Sequence, residues 1–392
     1  MRKSLKTILA SLLVMMFILG GCTKPEPKPE LPKVENLRIR HETEFGGVYI
    51  KMTIDDFNKL GFEYGDSVTV EFSNGYKLEE VPYYNGYYVD AGERLLIAYP
   101  GYDYIKAAIN YGEDLWERAK LKTSKDEITL WKEANLEEHS TASVYLKEKG
   151  KFKDIQEARD IHYSDDRTKF PSDVVFANFR DMEMGSLKPG MVYRSASPCD
   201  NQHNRAPYVD ALIKEAGVNC ILNLADNDVK IEKYISMESF SSPYFLNLYT
   251  IGNVYPIALN MNYLSDEFAQ KIAQGFIDMS EKEAPYLIHC TEGKDRTGFV
   301  CMLIEALAGA SYQEIADDYM VTYDNYYKIT PEKEPVKYRT ILEHNLDAML
   351  QFMVGEGVDI KTAPLAGYAF VYLRNAGMTA EQINKFLERI TE

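Results

Sequence analysis

The chain has 392 residues, 45% of them hydrophobic and 27% charged, an ordinary globular composition with room for two domains. With 44 basic against 60 acidic residues the formal net charge is −16, which argues against a nucleic-acid binder, because counterion release needs clustered Lys and Arg. An aromatic share of 12%, with 29 Tyr, excludes a disordered chain, and collagen-like, coiled-coil and polytopic membrane classes fail on composition.

In chain order, Arg2, Lys3 and Lys6 precede an apolar run from Ile8 to Leu19, interrupted only by Ser11 and closed by Gly20-Gly21-Cys22. The run is too short to span a bilayer comfortably. Residues 1–21 and this ending resemble a bacterial lipoprotein signal peptide. That resemblance implies cleavage before Cys22, lipid attachment to its thiol, and a protein anchored to the cell membrane on the extracytoplasmic side. The alternative is an ordinary secretory signal with an incidental Cys. Residues 22–36 follow, where Pro25, Pro27, Pro29 and Pro32 alternate with mixed charge. That pattern predicts an extended polyproline-II tether.

Residues 37–123 read as a small β-rich domain. Val48–Ile54 and Ser67–Phe72 alternate with period two, and Tyr87-Tyr88-Val89 and Leu95–Tyr99 are further short runs. Turn signals such as Ser73-Asn74-Gly75 separate them, a texture of barrels and sandwiches. Tyr64–Val70, Ala91-Gly92-Glu93 and Ile105–Gly112 resemble the C-terminal β-barrel domain of the S-adenosylmethionine hydroxide adenosyltransferases. That family's catalytic domain is absent, so the segment is read as a spacer or recognition module. Residues 124–170 read as a charged helical linker, with one helical stretch opened by Lys125-Asp126-Glu127 and another around Gln156–Asp160.

From 171 to 392 short apolar strands alternate with amphipathic segments. Val192–Arg194, Asn219–Leu224 and Tyr286–His289 are predicted strands, and Ala206–Ala216 and Asp266–Met279 predicted helices. Buried strands interleaved with helices predict an α/β sheet covered on both faces.

The remaining cysteines, Cys199, Cys220, Cys290 and Cys301, show no C-x-x-C spacing. Cys199 and Cys220 are free to pair or not, and Cys301 is predicted to be core. Cys290 is different. It sits in His289-Cys290-Thr291-Glu292-Gly293-Lys294-Asp295-Arg296-Thr297-Gly298, between the strand Pro285–Ile288 and an apolar helix from Phe299 to Leu307. A strand feeding a polar loop that opens a helix gathers backbone N–H groups into an anion cradle at the positive end of the helix dipole. A thiol at its rim meets a field that favours thiolate, and an Arg six residues on can fork two phosphate oxygens.

This loop resembles the signature of the cysteine-dependent protein tyrosine phosphatases. More narrowly, it is similar to that of the atypical bacterial family, some members of which also act on phosphoinositides. Asn178-Phe179-Arg180-Asp181, Leu187–Ser197 and Tyr372–Ile383 resemble other segments of that family. The resemblance implies a phosphatase-type sheet with flanking helices, Cys290 as nucleophile forming a phosphocysteine, and Arg296 as phosphate clamp. It also implies loop contacts to substrate from Thr291, Glu292, Gly293 and Lys294. Thr297 would hydrogen-bond the sulfur, and His289 would anchor the loop.

The general acid is less plain. Related phosphatases often keep an Asp on a separate loop, yet Val229–Met261 contains none. Asp295 is the first choice and Asp226 the second, the alternative for Asp226 being a turn residue at a strand end. Lys294 adds a cation suited to several phosphates, which Glu292 would oppose unless it points outward as a solvated rim charge, the preferred reading. Arg194 is either a substrate contact or a surface salt bridge. The expected substrates are a phosphorylated protein or, alternatively, an inositol phosphate or phospholipid. A third reading is a catalytically weak lipoprotein that binds a phosphorylated ligand. No metal or other cofactor is expected.

Overall fold

The computed structural model of the chain describes residues 31–43, 46–111, 113–122 and 139–391. The expected signal peptide, Cys22, most of the tether and the expected helical stretch at Lys125 lie outside the described residues.

Among the described residues, seven strands close an N-terminal barrel: β1 (Lys33–Glu42), β2 (Gly47–Thr53), β3 (Ser67–Phe72), β4 (Lys77–Tyr84), β5 (Arg94–Ile97), β6 (Tyr104–Ile109) and β7 (Thr141–Glu148). Around the barrel the order is β1-β2-β6-β5-β4-β3-β7. Period-two patterning explains the closure. Val68, Val70 and Phe72 of β3 meet Val48, Ile50, Ile105, Ala107 and Val144 in one core, while intervening residues face outward. Closure leaves no exposed sheet edge.

Three features differ from the sequence expectation. β7 stands in the stretch predicted to be a helical linker, and β1 begins at Lys33 inside the predicted tether. β7 does alternate, with Ala142, Val144 and Leu146 inward, but its charged flanks mask the period. Tyr87-Tyr88-Val89, predicted as a strand-like run, is a loop outside the barrel wall.

The C-terminal part is an α/β domain with strands β8 (Arg180–Asp181), β9 (Val192–Ser195), β10 (Cys220–Asn223), β11 (Val254–Pro256) and β12 (Tyr286–His289), ordered β11-β10-β12-β9-β8. β11, β10, β12 and β9 run parallel, and β8 is antiparallel to β9. Leu222 and Ile288 face the helices Asp266–Ser280 and Asp295–Leu307, whereas Ile221 and Leu287 face Ala206–Glu215 and Pro243–Thr250. Burial on both faces is why these strands read as unbroken apolar runs. The register pairs His289 with Asn223 on one side and Ser195 on the other, so three parallel strands end together. Open α/β sheets place ligand sites at such carboxyl ends.

A helix, Lys153–Arg159, joins the two parts. Arg159 donates to Asn345 Oδ1 at 2.8 Å and to the Tyr88 carbonyl at 3.4 Å, and His344 pairs with Asp90 at 3.4 Å. Cys199, Cys220, Cys290 and Cys301 are all free and buried, so Cys199 and Cys220 do not pair. Cys301 lies in the core as predicted.

Candidate active site

β12 runs into the loop 290–294, and the helix Asp295–Leu307 begins directly after it. Three successive carbonyls of the loop are tied outward. Thr291 C=O accepts from the Ser197 N–H (3.1 Å) and Glu292 C=O from the Tyr326 hydroxyl (2.8 Å). Gly293 C=O accepts from Asn178 Nδ2 and Arg194 Nη2, each at 3.2 Å. In a trans peptide the N–H points opposite to the carbonyl. The N–H groups of Glu292, Gly293 and Lys294 therefore point the other way, and none of them donates to another of the described residues. Three oriented, unfilled donors beside a helix N-terminus form an anion cradle.

Gly293 makes this curl possible. Its φ is +68°, and a Cβ built there would stand 2.3 Å from the Ser195 carbonyl oxygen. Only glycine fits both the conformation and the approach of β9.

Cys290, 3% exposed, opens the loop. His289 beside it is fully buried, and its Nδ1–H donates to the Cys290 carbonyl at 3.1 Å. Burial pushes the imidazole down to about 4, so it is neutral near pH 7 and anchors the loop. Arg296 bends back over the loop: Nη2 donates to Thr291 Oγ1 at 3.2 Å and Nη1 to the Leu259 carbonyl at 3.3 Å. The Thr297 hydroxyl is buried with no protein partner among the described residues.

Beneath the loop lies a charged network. Arg194, 1% exposed, pairs with the equally buried Asp318, and Arg180 donates Nε to the same carboxylate at 2.6 Å. Arg180 also donates to Asn178 Oδ1 at 2.9 Å, which orients the Asn178 amide toward Gly293. Burial alone would raise Asp318, but Arg180 and Arg194 hold it well below the usual carboxylate range. Burial and the neighbouring Asp318 push Glu305 well above that range, so it stays protonated. Arg194 is therefore no surface salt bridge: its guanidinium is buried, ties the Gly293 carbonyl from behind the loop and does not line the cleft.

Asp226 and Asp295 separate clearly. Asp226, 2% exposed, accepts from Asn223 Nδ2 at 3.2 Å and from the Tyr234 hydroxyl at 3.4 Å, near Cys199. It does not line the cleft above the loop, and its backbone N–H bonds to Asn223 Oδ1, as in a turn at a strand end. Asp295 lines the cleft beside Arg296. Glu292 is not the solvated rim charge expected. It pairs with Lys294 at 3.1 Å, and Lys294 lies 3.7 Å from Asp295 and donates to the Tyr327 hydroxyl at 3.3 Å. Burial would lower the Lys294 ammonium, but Asp295 and Glu292 hold it well above the ordinary lysine value. Its charge is thus largely balanced within the protein.

Residues 247–392 match a family model described as "Tyrosine phosphatase family". The match takes in the whole loop and stops short of half the chain. No curated protein matches this chain. Among solved structures, an uncharacterized conserved protein from Thermotoga maritima is 18% identical, with a TM-score of 0.20, over 29% of this chain and only 38% of its own. The core catalytic domain of PP-IP phosphatase SIW14 from S. cerevisiae, in complex with citrate, is 20% identical over 45% of this chain and 91% of its own, with a TM-score of 0.26. TpbA from P. aeruginosa in complex with pTyr is 14% identical over 41% and 83%, with a TM-score of 0.24.

Sequence reasoning missed several contributors. Asp318 shares its helix with the exposed Asp317 and looks like another solvated acid. Asn178 reads in the sequence only as part of a motif, with no signal of its bond to the Gly293 carbonyl. The barrel's contribution to the cleft left no local signal, because it comes from residues about two hundred positions away.

Proposed function

We propose that this protein is a cysteine-dependent phosphomonoesterase acting on phosphotyrosyl substrates. The observation that carries the reading is the loop itself: three outward-tied carbonyls leave three free N–H groups beside Cys290, with Arg296 folded over them. The match of residues 247–392 to the tyrosine phosphatase family supports it.

In this reading the Cys290 thiolate attacks phosphorus, forming an S–P bond as the bond to the leaving oxygen breaks. Asp295 gives that oxygen its proton. Water then attacks phosphorus, the S–P bond breaks, and the water's proton passes to the Asp295 carboxylate. The free N–H groups and Arg296 stabilise the equatorial oxygens in both steps. Thr297, whose hydroxyl lacks a protein partner, donates to the departing sulfur. Arg194, Asn178 and Tyr326 hold the carbonyls outward and touch no substrate.

A single phosphate suits this site better than several. Lys294, the second cation, is already paired with Glu292, which weakens the case for a highly phosphorylated inositol. The segment preceding the described residues supports a lipid anchor at Cys22 outside the cytoplasm.

The test is phosphate release by the full chain from a phosphotyrosine peptide and from inositol hexakisphosphate, with and without orthovanadate. Vanadate-sensitive release from the peptide supports the reading. Preference for inositol hexakisphosphate changes the substrate and keeps the mechanism. Binding of the peptide with no release from either leaves a phospho-ligand-binding protein.

A further inference from the structure

A cavity of about 550 Å³ opens above the catalytic loop, and its far wall belongs to the barrel. Tyr87, Tyr88, Tyr99 and Tyr111 line it from that side, facing Asp295 and Arg296. The wall is fixed rather than loosely apposed. The Gln156 side-chain amide donates to Asn85 Oδ1 at 2.6 Å, Arg159 bridges the Tyr88 carbonyl and Asn345, and Asp90 pairs with His344.

Tyr111 stands out within this wall. It stands two residues past the end of β6 with φ +44°, a left-handed conformation that a bulky side chain rarely adopts. Such strain persists where surrounding structure enforces it, and it clusters at ligand sites. Its side chain is not consumed by the barrel core and remains 38% exposed at the cleft. Burial first, and then the charge of Asp295, push its phenol above the ordinary value, so the ring stays neutral.

Around the cleft Lys294 pairs with Glu292 at 3.1 Å, and the Asp90 and Asp160 carboxylates lie against the His344 and His162 rings at 3.4 Å and 3.0 Å. The cavity therefore offers one anion cradle and, facing it, a neutral aromatic surface. We propose that the barrel is the leaving-group wall of the phosphatase site, and that the Tyr111 ring lies against the aromatic ring of a phosphotyrosyl side chain held by the loop. This rests on the phosphotyrosine reading above and adds to it a specificity-determining residue from the other domain.

The test uses binding, which needs no turnover. In the full chain carrying Cys290→Ser, calorimetry gives Kd for phenyl phosphate and for inorganic phosphate, before and after adding Tyr111→Ala. An aromatic contact of this kind is worth about tenfold in affinity. Phenyl phosphate is expected to weaken by that factor, and inorganic phosphate by much less. Tyr111→Phe keeps the ring and is expected to stay close to the parent. Equal weakening for both ligands, no weakening for either, or a Phe variant as weak as the Ala variant overturns the wall. A chain that hydrolyses nothing yet shows the differential loss fails as an enzyme and keeps the wall. One that releases phosphate from the peptide with phenyl phosphate binding unchanged in Tyr111→Ala keeps the activity and loses the wall.

Discussion

Arg194 Nη1 lies 2.5 Å from Asp318 Oδ2, both side chains 1% exposed, and the other end of the same guanidinium holds the Gly293 carbonyl. One fork thus spans a buried carboxylate and the backbone of the loop that would receive phosphate. A buried ion pair is weak evidence for stability, because desolvation offsets most of its attraction. Here it is better understood as a device that fixes the direction of one peptide.

Asp318→Asn leaves Arg180 and Arg194 facing an uncharged amide. Removing one partner of a buried pair costs about 3–5 kcal/mol. Urea denaturation is expected to show that loss, and kcat to fall by about 10²-fold as the loop shifts. Wild-type stability together with wild-type kcat would refute this role.

Gly293→Ala places a Cβ 2.3 Å from the Ser195 carbonyl oxygen at φ +68°. Neither the loop nor β9 can yield without moving the cradle. Activity is expected to drop by about 10²-fold or more, and orthovanadate to bind correspondingly more weakly. A variant that binds vanadate like the parent would show the cradle to be more plastic than its geometry implies.

Asp295→Asn removes the carboxyl group that lines the cleft and that the proposed mechanism uses as proton donor. General acids contribute about 10²–10⁴-fold, and the loss is expected on phenyl phosphate, whose leaving group needs a proton. It should be much smaller on p-nitrophenyl phosphate. Asp226→Asn, enclosed by Asn223 and Tyr234, is expected to keep kcat on phenyl phosphate. The reverse pattern reassigns the acid to Asp226.

His289 links pH to stability. Burial lowers its pKa from an ordinary 6.5 to about 4 in the folded protein. Between those values the unfolded chain binds the proton and the folded chain does not, so stability is full above about 6.5 and falls as pH drops toward 4. The contribution is up to about 3 kcal/mol. His289→Asn, whose amide can still donate to the Cys290 carbonyl, should flatten the stability curve across that window. An unchanged slope in urea titrations would place the pH dependence elsewhere.

How much of this was legible follows from distance along the chain. β12 and its loop are local: a short apolar strand, a polar string with Gly at the tight point, and an apolar helix, all within about twenty residues. The strand's bounds came out of the sequence directly, whereas the helix begins at Asp295, four residues before the apolar run that marks it. The barrel was recognisable from period-two runs, yet β7 was hidden because it closes the barrel from far along the chain and carries charged flanks. Asp318 drew no reading for the same reason, whereas Glu292 reads as outward-pointing because its direction depends on how the loop curls. Nothing near Asp318 in sequence announces Arg180 and Arg194, and Glu292 looks exposed until Lys294 is seen against it. Tyr87-Tyr88-Val89 has strand composition but sits in a loop that faces the cleft, which local propensity does not reveal.

The most direct test of the account is the fate of phosphate at Cys290. The full chain is mixed with a phosphotyrosine peptide and quenched in acid within the first turnover, alongside Cys290→Ser. The account predicts a covalent phosphate on the Cys290 peptide in the wild-type chain and release reduced to background in the variant. Release that persists in Cys290→Ser would contradict it.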